Sequence, residues 1–237
     1  MKVFPSEFEA MLSPEGRKLL AGDHPAVGVL SRENFYASDA LVDHTHLPKY
    51  TQVIHDKFEE LLVPMVRPLP SAKASYASNA DLLPKVGKMR GVPTSTGTDS
   101  KAFQRAEELG LVAMLYSESY VKFCTLLAGR AVEGPSLLQL FAYAHGDYAG
   151  PHTDNHPDHP RQKEGYCDVH LTFCTPGIRE QWIVYEQGGH FSQQRSIAGT
   201  GTITAYRLPT WHYTTPLRAD SPEDRRWLVL SSFYDAE

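Results

Sequence analysis

His152-Thr153-Asp154 sets an imidazole and a carboxylate two residues apart, and His212, well downstream, adds a second imidazole. Two imidazoles and one carboxylate can cap one face of a six-coordinate iron(II) ion and leave three positions open for a co-substrate and O₂. Neutral imidazole nitrogens suit Fe(II), and a single carboxylate lowers the charge without closing the coordination sphere. Arg226 follows with a guanidinium, a planar fork that can grip a carboxylate through two parallel hydrogen bonds. The His-x-Asp letters alone also describe a turn pair sharing one hydrogen bond, so the surrounding elements must decide.

Those elements are short strands. On an extended segment at a strand end, His152 and Asp154 face the same side and can reach one ion. From about Ser136 the chain reads as strands separated by turns: Leu137–Tyr143, Tyr166–Cys174, Trp182–Tyr185, Thr200–Tyr206 and Trp227–Phe233, with His145-Gly146-Asp147 as a turn. In Tyr166–Cys174, Tyr166, Asp168, His170 and Thr172 face one way and Cys167, Val169, Leu171 and Phe173 the other. Polar faces of this kind line a barrel that holds a ligand, and a rolled sheet with a turn at Pro209 returns His212 to the first pair.

The first half reads as helices. One starts at Ser13-Pro14-Glu15 and stops at Gly22, and Val53, Ile54, Phe58, Leu61 and Leu62 share a helical face ahead of Pro64. A third runs from about Ser100 through Phe103, Ala106 and Leu109 to Gly110; a fourth is capped near Ser117 or Ser119, carries Tyr120, Phe123, Cys124 and Leu127, and ends by Gly129. Residues 70–100, rich in Pro, Gly, Ser, Thr and Lys, read as a loop, either a lid or a solvated connector. The whole is expected to be mainly β with α: a single domain over 1–237, with 1–130 as helical support and possible lid and 131–237 as the β core.

A chain of 237 residues, 41% hydrophobic and 22% charged, can bury a core without staples. The net charge of -5 gives no footprint for nucleic acid or an anionic membrane surface. Cys124, Cys167 and Cys174 show no CxxC spacing and read as reduced thiols, no run reaches transmembrane length, and a cytoplasmic location is expected.

The segment from Leu140 through Tyr143, Gly146 and Pro151 to His152-Thr153-Asp154 resembles the signature of prolyl-4-hydroxylase-like 2-oxoglutarate/Fe(II) oxygenases, in which an apolar strand ending in tyrosine turns into the His-x-Asp ligands. His212-Tyr213-Thr214-Thr215-Pro216-Leu217 is similar to the distal metal histidine of that family, and Arg226–Asp235 to its closing strand. The likeness spans roughly residues 117–235, with a longer interval than usual between His212 and Arg226. It implies a double-stranded β-helix (jelly-roll or cupin-like) core, Fe(II) on His152, Asp154 and His212, and 2-oxoglutarate with a carboxylate on Arg226. It also implies O₂ as oxidant, with succinate and CO₂ as co-products of hydroxylating an unactivated C–H bond.

Tyr143 matches a position that contacts the co-substrate or packs in the barrel, and Thr172 could hydrogen-bond a co-substrate carboxylate. Arg226 shares strand parity with Leu228, Leu230 and Ser232, which favours it over Arg225, while Arg218 remains a rival. His170 reads as a hydrogen-bonded interior histidine that could also meet substrate. His156, Asp158 and His159 extend the pattern toward the metal motif of metallo-β-lactamase-like hydrolases, with an aspartate replacing one histidine; they read as a solvated rim. A non-catalytic cupin-like binding protein is the remaining alternative. The substrate is expected to be a small molecule or an amino-acid residue.

Overall fold

The computed structural model describes residues 2–68, 86–92, 100–154 and 165–236. The strands run β1 Phe35–Ser38, β2 Val63–Pro68, β3 Val86–Val92, β4 Leu137–Tyr143, β5 Tyr148–Ala149 and β6 Tyr166–Cys174. They continue as β7 Ile178–Glu180, β8 Trp182–Gln187, β9 His190–Ser196, β10 Ile203–Leu208, β11 His212–Thr214, β12 Arg218–Ala219 and β13 Arg226–Tyr234.

The alternating segment Tyr166–Cys174 becomes a central strand of the large antiparallel sheet, whose order is β1-β10-β6-β13-β4-β3-β2 with β5 beside β3. Its two faces are both buried, for different reasons. Cys167, Val169, Leu171 and Phe173, with Trp227, Val229 and Phe233 of β13, join the helices in one apolar core. Tyr166, Asp168 and His170, with Arg226, Leu228, Leu230, Ser232 and Tyr234, line an internal cavity. The opposite wall comes from the smaller sheet β11-β8-β9, and β7 and β12 form a separate pair. This is a double-stranded β-helix core with helical support.

The helices are α1 Pro14–Leu20, α2 Val29–Glu33, α3 Leu47–Phe58, α4 Lys101–Leu109, α5 Leu111–Leu115 and α6 Glu118–Ala128. Three start where a serine side chain accepts an otherwise orphaned amide: Ser13 from Gly16, Ser100 from Phe103 and Ser117 from Tyr120. The expected helical run to Leu62 stops sooner. α3 ends at Phe58, a 3₁₀ turn follows over Glu59–Leu61, and Pro64 lies inside β2. The loop expected over 70–100 is also interrupted, because Val86–Val92 forms β3 and pairs with β2 and β4. The remainder of that stretch, apart from Ser100, lies outside the described residues, and with it any lid. Among the described residues no helix is long and apolar enough to cross a membrane.

Candidate metal centre

The expected turn at His145-Gly146-Asp147 forms, with Gly146 at φ 78°, a left-handed conformation natural to glycine. It reverses the chain from β4 into the segment that carries His152. Here a two-residue bridge replaces a long strand pair: the amide of His152 donates to the carbonyl of His212 at 3.0 Å and the amide of His212 donates back at 3.0 Å. This reciprocal pairing sets two sequence-distant imidazoles side by side, with ring centroids 4.5 Å apart.

The backbone also decides which nitrogen each ring presents. His152 Nδ1 lies 2.6 Å from the Gly150 carbonyl and His212 Nδ1 2.9 Å from the Thr210 carbonyl. A carbonyl only accepts, so each Nδ1 carries the proton and each Nε2 keeps a free lone pair. Those two Nε2 atoms approach separate oxygens of Asp154, at 3.2 Å and 3.4 Å. The three ligand atoms lie within 4.8 Å of one another. This donor set fits a divalent ion: two oriented neutral imidazoles, one carboxylate and a shared open side. Burial works against a charged His152, but the charge and hydrogen bond of Asp154 outweigh it and raise its pKa. Burial likewise opposes ionised Asp154, and the two histidines overcome it, holding the carboxyl well below the usual range.

The triad opens into a cavity of about 400 Å³ between the sheets. Arg226, on the inward face of β13, closes one end of it and is 2% exposed. Its Nε donates to the Ile197 carbonyl at 2.8 Å, one terminal nitrogen to Gln181 Oε1 at 3.2 Å and the other to Thr172 Oγ1 at 3.4 Å. Its guanidinium carbon sits 5.4 Å from the centre of the Tyr143 ring. Every one of these partners is neutral, and no carboxylate among the described residues pairs with it. A buried cation without a counter-ion is costly, and a bound carboxylate relieves that cost. Burial pulls the Arg226 pKa down and pushes the Tyr143 hydroxyl up to about 12.

The rivals point elsewhere. Arg218 is exposed and pairs with Glu180 at 3.0 Å, and Arg225 turns toward the helical layer to reach Glu59 at 2.6 Å. His170 is only half satisfied: Nδ1 lies 2.7 Å from the Tyr206 hydroxyl, while Nε2, buried, has no partner among the described residues. Burial lowers its pKa to about 3, so it is a neutral ring on the cavity wall. His156, Asp158 and His159 lie outside the described residues.

Three buried groups at or beside the cavity carry no role in the sequence reading. Gln181, fully buried, turns Arg226 by accepting from it while donating to the Thr215 carbonyl at 3.0 Å. Tyr206 stacks on the His212 ring with centroids 4.9 Å apart. Asp168 is 3% exposed and lines the cavity; burial first, then the charge of Asp154, pushes its carboxyl up to about 8. The alternation of β6 did place Asp168 and His170 on the cavity face, but a polar strand face is ambiguous until something covers it. Nothing in the sequence signals Gln181.

No protein-family model and no curated protein matches the sequence. Solved structures do match the fold. A 2OG-Fe(II) oxygenase family oxidoreductase from Burkholderia pseudomallei aligns over 92% of this chain and 90% of its own, at 12% identity and TM-score 0.57. The non-heme α-ketoglutarate-dependent epimerase SnoN from nogalamycin biosynthesis aligns over 93% of this chain and 83% of its own, at 12% identity and TM-score 0.58. The carbocyclase SnoK from the same biosynthesis aligns over 99% of this chain and 88% of its own, at 11% identity and TM-score 0.56. The chain therefore has the double-stranded β-helix fold of the 2-oxoglutarate/Fe(II) oxygenases.

Proposed function

We propose that the protein is an Fe(II)- and 2-oxoglutarate-dependent oxygenase that hydroxylates an unactivated C–H bond of a small molecule or an amino-acid residue. One observation carries the reading: an open His152/Asp154/His212 triad shares its cavity with a buried arginine that has no acidic partner among the described residues. Iron(II) bound there would supply, with 2-oxoglutarate and O₂, an oxidant for C–H bonds, with succinate and CO₂ as co-products. Arg226 would hold the far carboxylate of 2-oxoglutarate, with Thr172 as a hydroxyl donor beside it and the Tyr143 ring beneath the guanidinium. The Nδ1 bonds keep both imidazoles aimed at the ion through the cycle.

Asp154 bears on the outcome. A carboxylate ligand occupies the position that a halide would need, so it favours transfer of oxygen over transfer of halide. The named activities of SnoN and SnoK, epimerisation and carbocyclisation, show that this fold hosts other outcomes. The test is direct. Under nitrogen, Fe(II) plus 2-oxoglutarate gives a weak visible charge-transfer band that is lost in His152→Ala and His212→Ala. In air, 2-oxoglutarate is converted to succinate across a panel of amino acids and small metabolites. Absence of the band together with absence of succinate refutes the assignment.

A further inference from the structure

We propose that Asp168 anchors the substrate of this cavity by binding an aliphatic ammonium group. The proposal rests on the oxygenase reading above and adds the chemical class of what is oxidised. Asp168 lies on the inward face of β6, buried and lining the cavity. One carboxylate oxygen, Oδ1, accepts from the Ser232 hydroxyl at 2.6 Å. Among the described residues no other group donates to it and no cation pairs with it. It is not a fourth metal ligand, because the ligand atoms within 4.8 Å of one another are those of His152, Asp154 and His212 alone.

Position makes this acid useful. Thr172, beside Arg226, is four residues along β6 from Asp168, a separation of about 13 Å at the usual strand rise. The co-substrate anchor and Asp168 are thus at different levels of one cavity. Tyr206, the register partner of Asp168, stacks on His212, so the acid stands at the level of the metal ligands. A molecule held by Asp168 would present its neighbouring carbons to the open side of the triad. Beyond Asp168, the rings of Tyr166 and Tyr234 line the same end with centroids 5.9 Å apart, and aromatic faces favour a cation.

Charge balance allows the cation. Arg226, Asp154, a divalent ion and the dianion 2-oxoglutarate sum to zero, so an ammonium and the Asp168 carboxylate it would draw into the ionised form add no net charge to the cavity. Geometry selects the cation. With Oδ1 engaged by Ser232, a single oxygen is free, which suits the point charge of an ammonium better than the two-pronged guanidinium.

The test compares n-hexylamine with uncharged N-hexylacetamide. Both are titrated by calorimetry into protein loaded with Fe(II) and 2-oxoglutarate under nitrogen, and into the metal-free protein. The amine is expected to bind at least tenfold more tightly to the loaded protein, and Asp168→Asn to reduce that preference below twofold. Equal binding of the two probes to the wild type overturns the proposal, whatever the variant does, and so does a preference that survives Asp168→Asn. If neither the charge-transfer band nor succinate forms, the oxygenase reading fails. The amine preference on the metal-free protein then still decides the role of Asp168: tighter amine binding supports it, and equal binding ends it.

Discussion

Arg226 is a cation held in the interior by neutral partners, the Ile197 carbonyl, Gln181 and Thr172. Those bonds aim the guanidinium and leave its charge uncancelled, so binding a carboxylate there gains a full charge-assisted contact. Such hydrogen bonds contribute about 1.5–3 kcal/mol each, and about 1.4 kcal/mol corresponds to tenfold. Replacing Arg226 with methionine is therefore expected to raise the KM for 2-oxoglutarate by roughly 30-fold or more. Arg226→Lys should recover little, because an ammonium cannot reproduce the fork that meets Ile197, Gln181 and Thr172 together. A KM within twofold of wild type in Arg226→Met would show that the co-substrate is held elsewhere. The triad works by the same economy of contacts, since two backbone carbonyls suffice to aim both imidazoles.

At the scale of elements, one hydroxyl ties three pieces of the helical layer together. Ser117 Oγ accepts from the amide of Tyr120 at the start of α6 and from the amide of Phe8, and donates to the carbonyl of Met114 in α5. Ser117→Ala leaves two buried amides without that acceptor and should cost roughly 1–2 kcal/mol of unfolding free energy in urea, with the charge-transfer band unchanged. A cost below about 0.3 kcal/mol would mean that water replaces the hydroxyl. This cap was legible from letters to within Ser117 or Ser119, and the strand alternation of β6 and the spacing of His152 and Asp154 were legible too, because each is a local pattern with a local cause. β3 was not legible. Val86-Gly87-Lys88-Met89-Arg90-Gly91-Val92 carries two glycines and two cations, and it is a strand because β2 and β4 offer it edges. The alternation of β6 put Asp168 on the inward face but not its burial, and Gln181 carried no signal at all, for a related reason: only the rolled sheet and its smaller partner turn their neighbourhood into an interior.

For the whole molecule, one cavity brings together the ligand atoms of His152, Asp154 and His212 and the guanidinium of Arg226, whose partners among the described residues are all neutral. A ligand that binds only the folded chain stabilises it, so stability and occupancy are linked. A ligand at a hundred times its Kd adds about 2.7 kcal/mol. In a chain of this length about 1 kcal/mol moves Tm by 2–4 °C, so a saturating divalent ion should raise Tm by roughly 5–10 °C over chelator-treated protein. 2-Oxoglutarate should add a second increment that is large only when the ion is present, because in the proposed complex the ion and Arg226 would hold opposite ends of it. In His152→Ala both increments should shrink together, whereas in Arg226→Met only the second should. Scanning calorimetry of the wild type and the two variants, each with and without metal and co-substrate, separates these cases. A full 2-oxoglutarate increment in chelated wild-type protein would show that the acid binds without the triad, and would break the link between the two ends of the cavity.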